Sequence, residues 1–473
     1  MLSSTSRTLL CSAALGVSSI NAETHSRCLA GGLLIPNGTI ASVQHHAVGD
    51  VIALPNTVTS SGGPNFKANV TIDFCRIVVN VSTSDSSSVR IEAWLPDDWN
   101  KRLLATGTGG IGGCIDFSSV QNSAQLGFAS FGTNTGHDGE KGFDFFLNQP
   151  EVINDFGHRG IHVEAVVAKQ IVQQYYGKKA SQSYYQGCST GGRQGHTSTT
   201  DWMADLSSEA YVRPEQWKAI AEKQIELLDP LDGVENGIID NPAAHAFDPA
   251  IMACGTGLLN SSLCLKPRQR ASVRVAYEPL ADSEGNIVYP AFVLGADTSV
   301  FSENQVNGTA ELNYKVLQDF WRGAVYNDST WTPHNFTVKD MDFAVKLNTG
   351  GVNAAEGELQ KFYAKGGNII SYHGQADQTI TPKLPLSITP RFKPTSTPHC
   401  RICTPSTDYS SFLGCITALE ALAHSILVRF GSSEAPGKAT AQRKYCPYPF
   451  ESTWDGSGNT TMADSWRCKL PGV

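Results

Sequence analysis

Hydrophobic and polar positions alternate over Arg90-Ile91-Glu92-Ala93-Trp94-Leu95, the period of a half-buried strand. Pro96 to Asn100 reads as a turn, and Lys101 to Ala105 begins the next strand. Shorter β-like runs come before them at Val70–Ile72 and Arg76–Val79. Phe128 to Asn134 is a further strand, closed by Thr135-Gly136-His137-Asp138. From Gly160 to Tyr176 the period changes: Val163, Val166, Val167, Ile171, Val172 and Tyr175 recur at helical spacing. Ser183-Tyr184-Tyr185-Gln186 then reads as the end of a strand. Strand, helix, strand in this order predicts an α/β sheet. Residues 205–365 break the rhythm, with Trp217, Trp321, Trp331, many Asn and Asp, and no clear strand–helix alternation. They are expected to form an insertion. Gly366 to Gly374 returns to a buried strand, and Ala418 to Val428 is an apolar, helix-like run.

The chemistry centres on Gly187-Cys188-Ser189-Thr190-Gly191, placed between the aromatic strand end and a glycine-rich helix start. A tight strand-to-helix turn needs small flanking residues, and Gly187 and Gly191 supply them. Ser189 would stand clear of the sheet, with the Thr190 N–H facing a developing oxyanion. The cluster Gly107-Thr108-Gly109-Gly110-Ile111-Gly112-Gly113-Cys114 follows a strand. It either offers further N–H donors, from Gly109 or Gly110, or is a plain flexible loop. An activated serine needs a base, and the base needs a carboxylate. Asp377 follows a late strand, where the acid belongs in an α/β-hydrolase, although an ordinary turn aspartate has the same look. The later histidines are His399, in a Pro/Thr/Ser loop, and His424, in the apolar run where a structural role fits better. Cys188 precedes the serine and Cys400 follows His399. A disulfide between them would tether nucleophile to base, since bridged Cα atoms lie about 5.5 Å apart. Alternatively Cys400 pairs with Cys403 or stays a thiol.

Composition narrows the setting. Hydrophobic content of 41% and charged content of 17% over 473 residues suit a globular, loop-rich chain. A formal net charge of -8 argues against nucleic-acid binding. Residues 1–22 carry Arg7, an apolar run from Leu9 to Val17 and small residues to Ala22, which reads as a secretory signal peptide. That run is too short to span a bilayer, and no later stretch is long and apolar enough. Asn37, Asn69, Asn80, Asn260, Asn307, Asn327, Asn335 and Asn459 begin N-glycosylation sequons, as expected of an exported glycoprotein. Of twelve cysteines, Cys11 falls in the leader; the remaining odd number leaves at least one outside intramolecular disulfides.

Cys188-Ser189, the later His373-Gly374-Gln375-Ala376-Asp377-Gln378 and His399-Cys400 together resemble the tannase and feruloyl esterase family of secreted fungal esterases. The resemblance implies an α/β-hydrolase fold with a large inserted lid. It places the catalytic domain at 23–204 and 366–473 and the lid at 205–365. It puts Ser189, Asp377 and His399 on the triad and Cys188–Cys400 on the bridging disulfide. It also implies the pairs Cys28–Cys75, Cys254–Cys264 and Cys446–Cys468. Asp229-Pro230-Leu231-Asp232-Gly233-Val234-Glu235-Asn236-Gly237-Ile238-Ile239 resembles the family's calcium loop. Asp229 and Asp232 would give carboxylates, Asn236 an amide oxygen, and Val234 and Ile238 carbonyls, a hard-cation set. The implied substrates are hydroxycinnamoyl esters such as ferulate on plant cell-wall polysaccharide, xylan among them, or galloyl esters of tannins. Leu317 to Arg322, Tyr326 to Asp328 and Trp331 look more like the feruloyl branch.

Two departures stand out. The interval between the elbow and the calcium loop is short, so that His196–Asp201 runs almost directly into Ser208–Pro214. The interval from Asp377 to His399 is also short, and Lys383 to Cys415 is Pro/Thr/Ser-rich with Cys403 and Cys415 added. Cys114 resembles a family cysteine whose partner is missing. These departures keep open a second class of function, an inactive secreted relative that binds carbohydrate or phenols. Nothing in the sequence selects an oligomeric state.

Overall fold

The computed structural model describes residues 28, 32–54, 66–139, 142–187, 190, 209–235, 237–239, 242, 245–281, 284–301, 315–332, 337–353, 360–365, 367, 369–372, 376–377, 381–383, 400–403, 426–431, 439–445, 451–454, 456–460 and 462–469. The chain divides into two compact units. The first comprises Met1–Gln194, Lys315–Thr332 and Phe343–Ala354; the second comprises Gly195–Tyr314, Pro333–Asp342 and Ala355–Val473. Two segments of the expected insertion, 315–332 and 343–354, thus pack with the first unit.

The first unit is built on β1 (Gly38–His46), β4 (Phe74–Ser82), β5 (Ser88–Pro96), β6 (Arg102–Thr106), β7 (Ala129–Thr133) and β8 (Gln182–Gln186), with β2 (Val51–Leu54) and β3 (Phe66–Asn69) as a separate hairpin. The sheet order is β1-β4-β5-β7-β6-β8. The first four strands are antiparallel neighbours, and β7, β6 and β8 are parallel. Parallel neighbours need crossover connections. Helix α1 (Phe117–Gln125) supplies one between β6 and β7, and α2 (Gly160–Tyr176) lies in the other, between β7 and β8. The swapped order of β6 and β7 ahead of the elbow strand is that of an α/β-hydrolase-like sheet.

Alternation along β5 sorts its side chains between two layers. Ile91, Ala93 and Leu95 face the core that α2 covers with Val167, Ala168, Ile171, Val172 and Tyr175. Trp94 enters the opposite layer with Phe74, Ile115, Phe117 and Val120. On that face Glu92 is buried and takes a two-pronged contact from Arg76 at 2.8 and 2.6 Å. Val166, assigned by its spacing to the apolar stripe, is 43% exposed. The β-like run at 70–72 follows β3 rather than forming a strand, and Val70 is buried against the hairpin.

In the second unit, α3 (Pro214–Leu228) and α4 (Pro267–Ala276) frame a core of Trp217, Ile220, Met252, Leu265, Val273, Tyr289 and Phe292. The paired strands are β9 (Leu280–Ala281) with β10 (Ile287–Tyr289), β11 (Ile369–Tyr372) with β12 (Cys400–Cys403), β13 (Ile426–Gly431) with β14 (Ala439–Tyr445), and β15 (Glu451–Trp454) with β16 (Trp466–Lys469). Ile426, Leu427 and Val428, taken from the sequence as the end of a helix-like run, are therefore strand. Branched Ile426 and Val428 favour extended backbone, and partners on β14 supply the ladder.

Candidate active site

Strand β8 runs parallel to β6 and ends at Gln186, whose carbonyl accepts the Gly107 N–H at 2.9 Å. The start of the glycine cluster is therefore tied to the strand that leads into the elbow. Cys188 and Ser189 lie outside the described residues; Thr190 is described and half-buried. Within the cluster only Gly109 and Gly110 are not fully buried. Gly110 has a φ of 60°, and the Gly112 N–H closes a turn on the Gly109 carbonyl at 3.1 Å. Loop 107–114 thus forms a hydrogen-bonded turn with Gly109 and Gly110 at its tip.

Three contacts from turn 134–139 hold the base of this loop. The His137 Nε2–H donates to the Ile111 carbonyl at 2.7 Å. The Gly113 N–H donates to the Gly139 carbonyl at 3.1 Å. The Gly139 N–H donates to the sulfur of Cys114, a buried thiol, at 3.2 Å. The turn is itself fixed. Asn134 Oδ1 accepts from Arg90 N at 2.8 Å and Gly136 N at 3.2 Å, and Arg90 grips Asp138 at 2.8 and 2.7 Å. Burial among Phe145, Phe146 and Phe156 pulls the His137 imidazole down to about 4.

Two more buried acids stand behind the sheet ends. Glu164 on α2 is fully buried, and neither carboxyl oxygen has a hydrogen-bond partner of ordinary geometry. Burial pushes it well above the usual carboxylate range, with only the Thr106 backbone opposing. Asp155 is equally buried but paired: Thr83 and Ser87 hydroxyls donate at 2.6 Å and Arg159 Nε at 2.5 Å. Sequence reading missed all three groups. Glu164 alone left a signal, a charge at 164 in the stripe 167, 168, 171, 172, 175.

Asp377, in the second unit, is half-buried and follows β11. Tyr289 is buried near it; burial drives its hydroxyl up, and the Asp377 charge adds to this. The Lys383 amine donates to the Phe292 carbonyl at 3.3 Å, and burial pulls it down. His399 lies outside the described residues. Its neighbour Cys400 starts β12 opposite Ile369, the first residue of β11, whereas Asp377 comes after the last.

The Asp229 carboxylate is buried and accepts the Gly237 N–H at 2.8 Å and the Ile238 N–H at 3.3 Å, closing the acidic loop on itself. Gly233 and Gly237 turn it with φ of 89° and 78°. Val234 is buried and Ile238 half-buried; Asn236 and the Asp232 side chain lie outside the described residues. Among the described residues no three His, Cys, Asp or Glu side chains gather to hold a metal. The donor atoms this loop would offer are all oxygens, the type a hard cation takes.

Disulfides join Cys28 to Cys75 and Cys254 to Cys264, with Cα separations of 5.6 and 4.8 Å. Cys415, Cys446 and the side chains of Cys400, Cys403 and Cys468 lie outside the described residues. Among the described residues no helix is long and apolar enough to cross a membrane.

The chain matches the family described as tannase and feruloyl esterase over residues 75–207 and 196–387. The two matched pieces overlap at 196–207, inside the interval that is short in this chain, and the match stops ahead of His399. A probable feruloyl esterase B of Aspergillus clavatus is 30% identical over 510 residues, covering 94% of this chain and 95% of that one. A probable feruloyl esterase B-1 of Aspergillus oryzae is 29% identical, covering 92% and 91%. Among solved structures, feruloyl esterase B from Aspergillus oryzae superposes with a TM-score of 0.83 at 26% identity, over 94% of this chain and 100% of that one. An esterase from the same organism gives 0.83 at 28% over the same shares. Tannin acyl hydrolase from Aspergillus niger, at 0.71 and 18%, shares the fold. With this match spanning most of the chain, and with the glycine loop tied to the elbow strand, the protein belongs to the tannase and feruloyl esterase family.

Proposed function

We propose that the protein is a secreted serine carboxylic ester hydrolase acting on feruloyl and related hydroxycinnamoyl esters of plant cell-wall polysaccharide. The observation that carries this reading is the near full-length likeness to feruloyl esterase B, in sequence and in fold. The hydrogen-bonded glycine loop beside the elbow strand supplies the electrostatics the reaction needs. Ser189 Oγ attacks the ester carbonyl while His399 takes its proton, and Asp377 holds the imidazole. The carbonyl oxygen gains charge against the N–H groups of Thr190 and of Gly109 or Gly110. His399 returns the proton to the departing sugar alkoxide. Water then attacks the acyl-enzyme by the same route and releases the aromatic acid. The leader, the sequons and the two disulfides support export.

In the acidic loop, Asp229, Asp232 and Asn236 side chains and the Val234 and Ile238 carbonyls would hold Ca2+. The ion would supply structural cross-linking of the loop, not chemistry. Chelation should lower the melting temperature, and added Ca2+ should restore it.

The test is hydrolysis of methyl ferulate, compared with methyl gallate, by wild type, Ser189→Ala, His399→Ala and His424→Ala. Turnover lost with Ser189→Ala and His399→Ala, and kept with His424→Ala, supports the reading. A preference for methyl gallate would move the protein to the tannase side. The short interval after the elbow favours a second reading: an inactive binder of carbohydrate or phenols. Folded wild type with no turnover of either ester would select it.

A further inference from the structure

We propose that His137 is a positioning residue for the oxyanion loop: its uncharged imidazole holds the Ile111 carbonyl and so fixes the direction of the Gly109 and Gly110 N–H groups. The inference rests on the esterase reading above. A glycine-rich loop has the most backbone freedom to lose, so its peptide planes must be pinned from outside. The turn 109–112 leaves the Ile111 carbonyl buried at the loop's base, and the His137 Nε2–H reaches it at 2.7 Å. Only an N–H can serve a carbonyl, which fixes the tautomer with the proton on Nε2. Nδ1 is then a buried nitrogen with no hydrogen-bond partner. Protonation there would create both a buried charge and a donor with nowhere to point. The contact is also tight from the other side. A Cβ on Gly113 would sit 1.9 Å from the His137 carbonyl oxygen.

The groups packed around the ring keep it neutral. Phe145, Phe146 and Phe156 face it with ring centroids at 4.5, 5.5 and 5.8 Å. Asp138, next in the chain, is engaged by Arg90, and Asp155, packed on Gly136, by Arg159. Cys114 presents its sulfur to the Gly139 N–H across the loop. A neutral imidazole at this place therefore acts on the reaction only through Ile111 and the loop.

The experiment compares wild type, His137→Leu and His137→Gln on methyl ferulate, with melting curves alongside. Gln can place an uncharged N–H near the Nε2 position; Leu cannot. Expected for Leu is a loss in kcat of about 10- to 100-fold with KM changed less than about twofold, because mispositioned donors weaken only the transition state. Gln should recover most of that loss. Folded His137→Leu with wild-type kcat, or folded Gln no better than Leu, would overturn the inference. Hydrogen exchange over residues 107–114 is read on the same proteins, and it decides the matter if no ester is turned over and the esterase reading itself fails. The loop amides should lose protection in Leu and regain it in Gln. On wild type, which needs no variant to fold, these amides should open ahead of β4 and β5 as pH falls through about 4. Protection unchanged by Leu or by acid would contradict the clamp.

Discussion

The glycine loop at 107–114 and the acidic loop at 229–238 use similar backbone turns and are held in opposite ways. Both rely on glycine with positive φ, Gly110 in one and Gly233 and Gly237 in the other. The first is pinned from outside, by His137 and Gly139 on a turn that Asn134 and Arg90 fix in place. The second closes on its own Asp229 carboxylate, with tips such as Leu231 and Gly237 exposed. On the proposed reading, the first loop must present donors in a fixed direction and takes its rigidity from neighbouring elements. On the same reading the second gathers oxygen atoms for a cation and can leave part of its ordering to the ion.

Alanine at one glycine in each loop separates the two cases. Gly113→Ala should be the most damaging change, costing about 3 kcal/mol or more of stability, because its Cβ meets the His137 carbonyl and cannot be absorbed by a side-chain shift. Gly233→Ala has nothing within 4 Å, so only the left-handed backbone resists it, at about 1 kcal/mol. Chemical denaturation of the two variants measures the difference; equal costs would erase the distinction.

Acid should act through the first loop. His137 is pulled down to about 4 when folded and titrates near 6.5 when unfolded. The unfolded chain therefore binds a proton first. Stability is complete above about 6.5 and is lost as pH falls toward 4, by at most about 3 kcal/mol. His137→Gln should flatten that limb of a melting-temperature profile. Glu164 has the opposite sign. Its folded carboxyl is raised, so its contribution is present in acid and is lost as pH rises above the unfolded value. Glu164→Gln should raise the melting temperature at neutral pH and not in acid.

In the second loop, Asp229→Asn weakens two charge-assisted bonds from Gly237 and Ile238 at a cost of about 2 kcal/mol. It should also abolish any rise in melting temperature with Ca2+. A calcium response that survives Asp229→Asn would place the ion elsewhere.

Much of the first unit was legible because its signals are local. Alternation over 90–95 matches β5, the helical stripe matches α2, and small residues flank Ser189. The edge strand β1 and the β2–β3 hairpin were not read, because their short mixed runs are stabilised by partners far along the chain. His137 was visible only as part of a turn. Its importance comes from the Ile111 carbonyl 26 positions away, which no periodicity encodes. In the second unit α3 went unread because its apolar positions sit among charged ones, and Trp217 and Ile220 find their partners in Met252 and Val273. The run ending at Val428 suggested a helix by hydrophobicity alone, and cross-strand pairing with β14 decided otherwise.

The central claim is that Ser189 is an activated nucleophile beside the glycine loop. Incubating the purified protein with an aryl phosphonate ester that phosphonylates activated serines, followed by peptide mass mapping, tests it most directly. The account predicts one adduct per chain on the peptide containing Ser189, formed in step with loss of methyl ferulate hydrolysis and far more slowly in Gly113→Ala. Stoichiometric labelling of a different serine, or full inactivation with Ser189 unmodified, would contradict it.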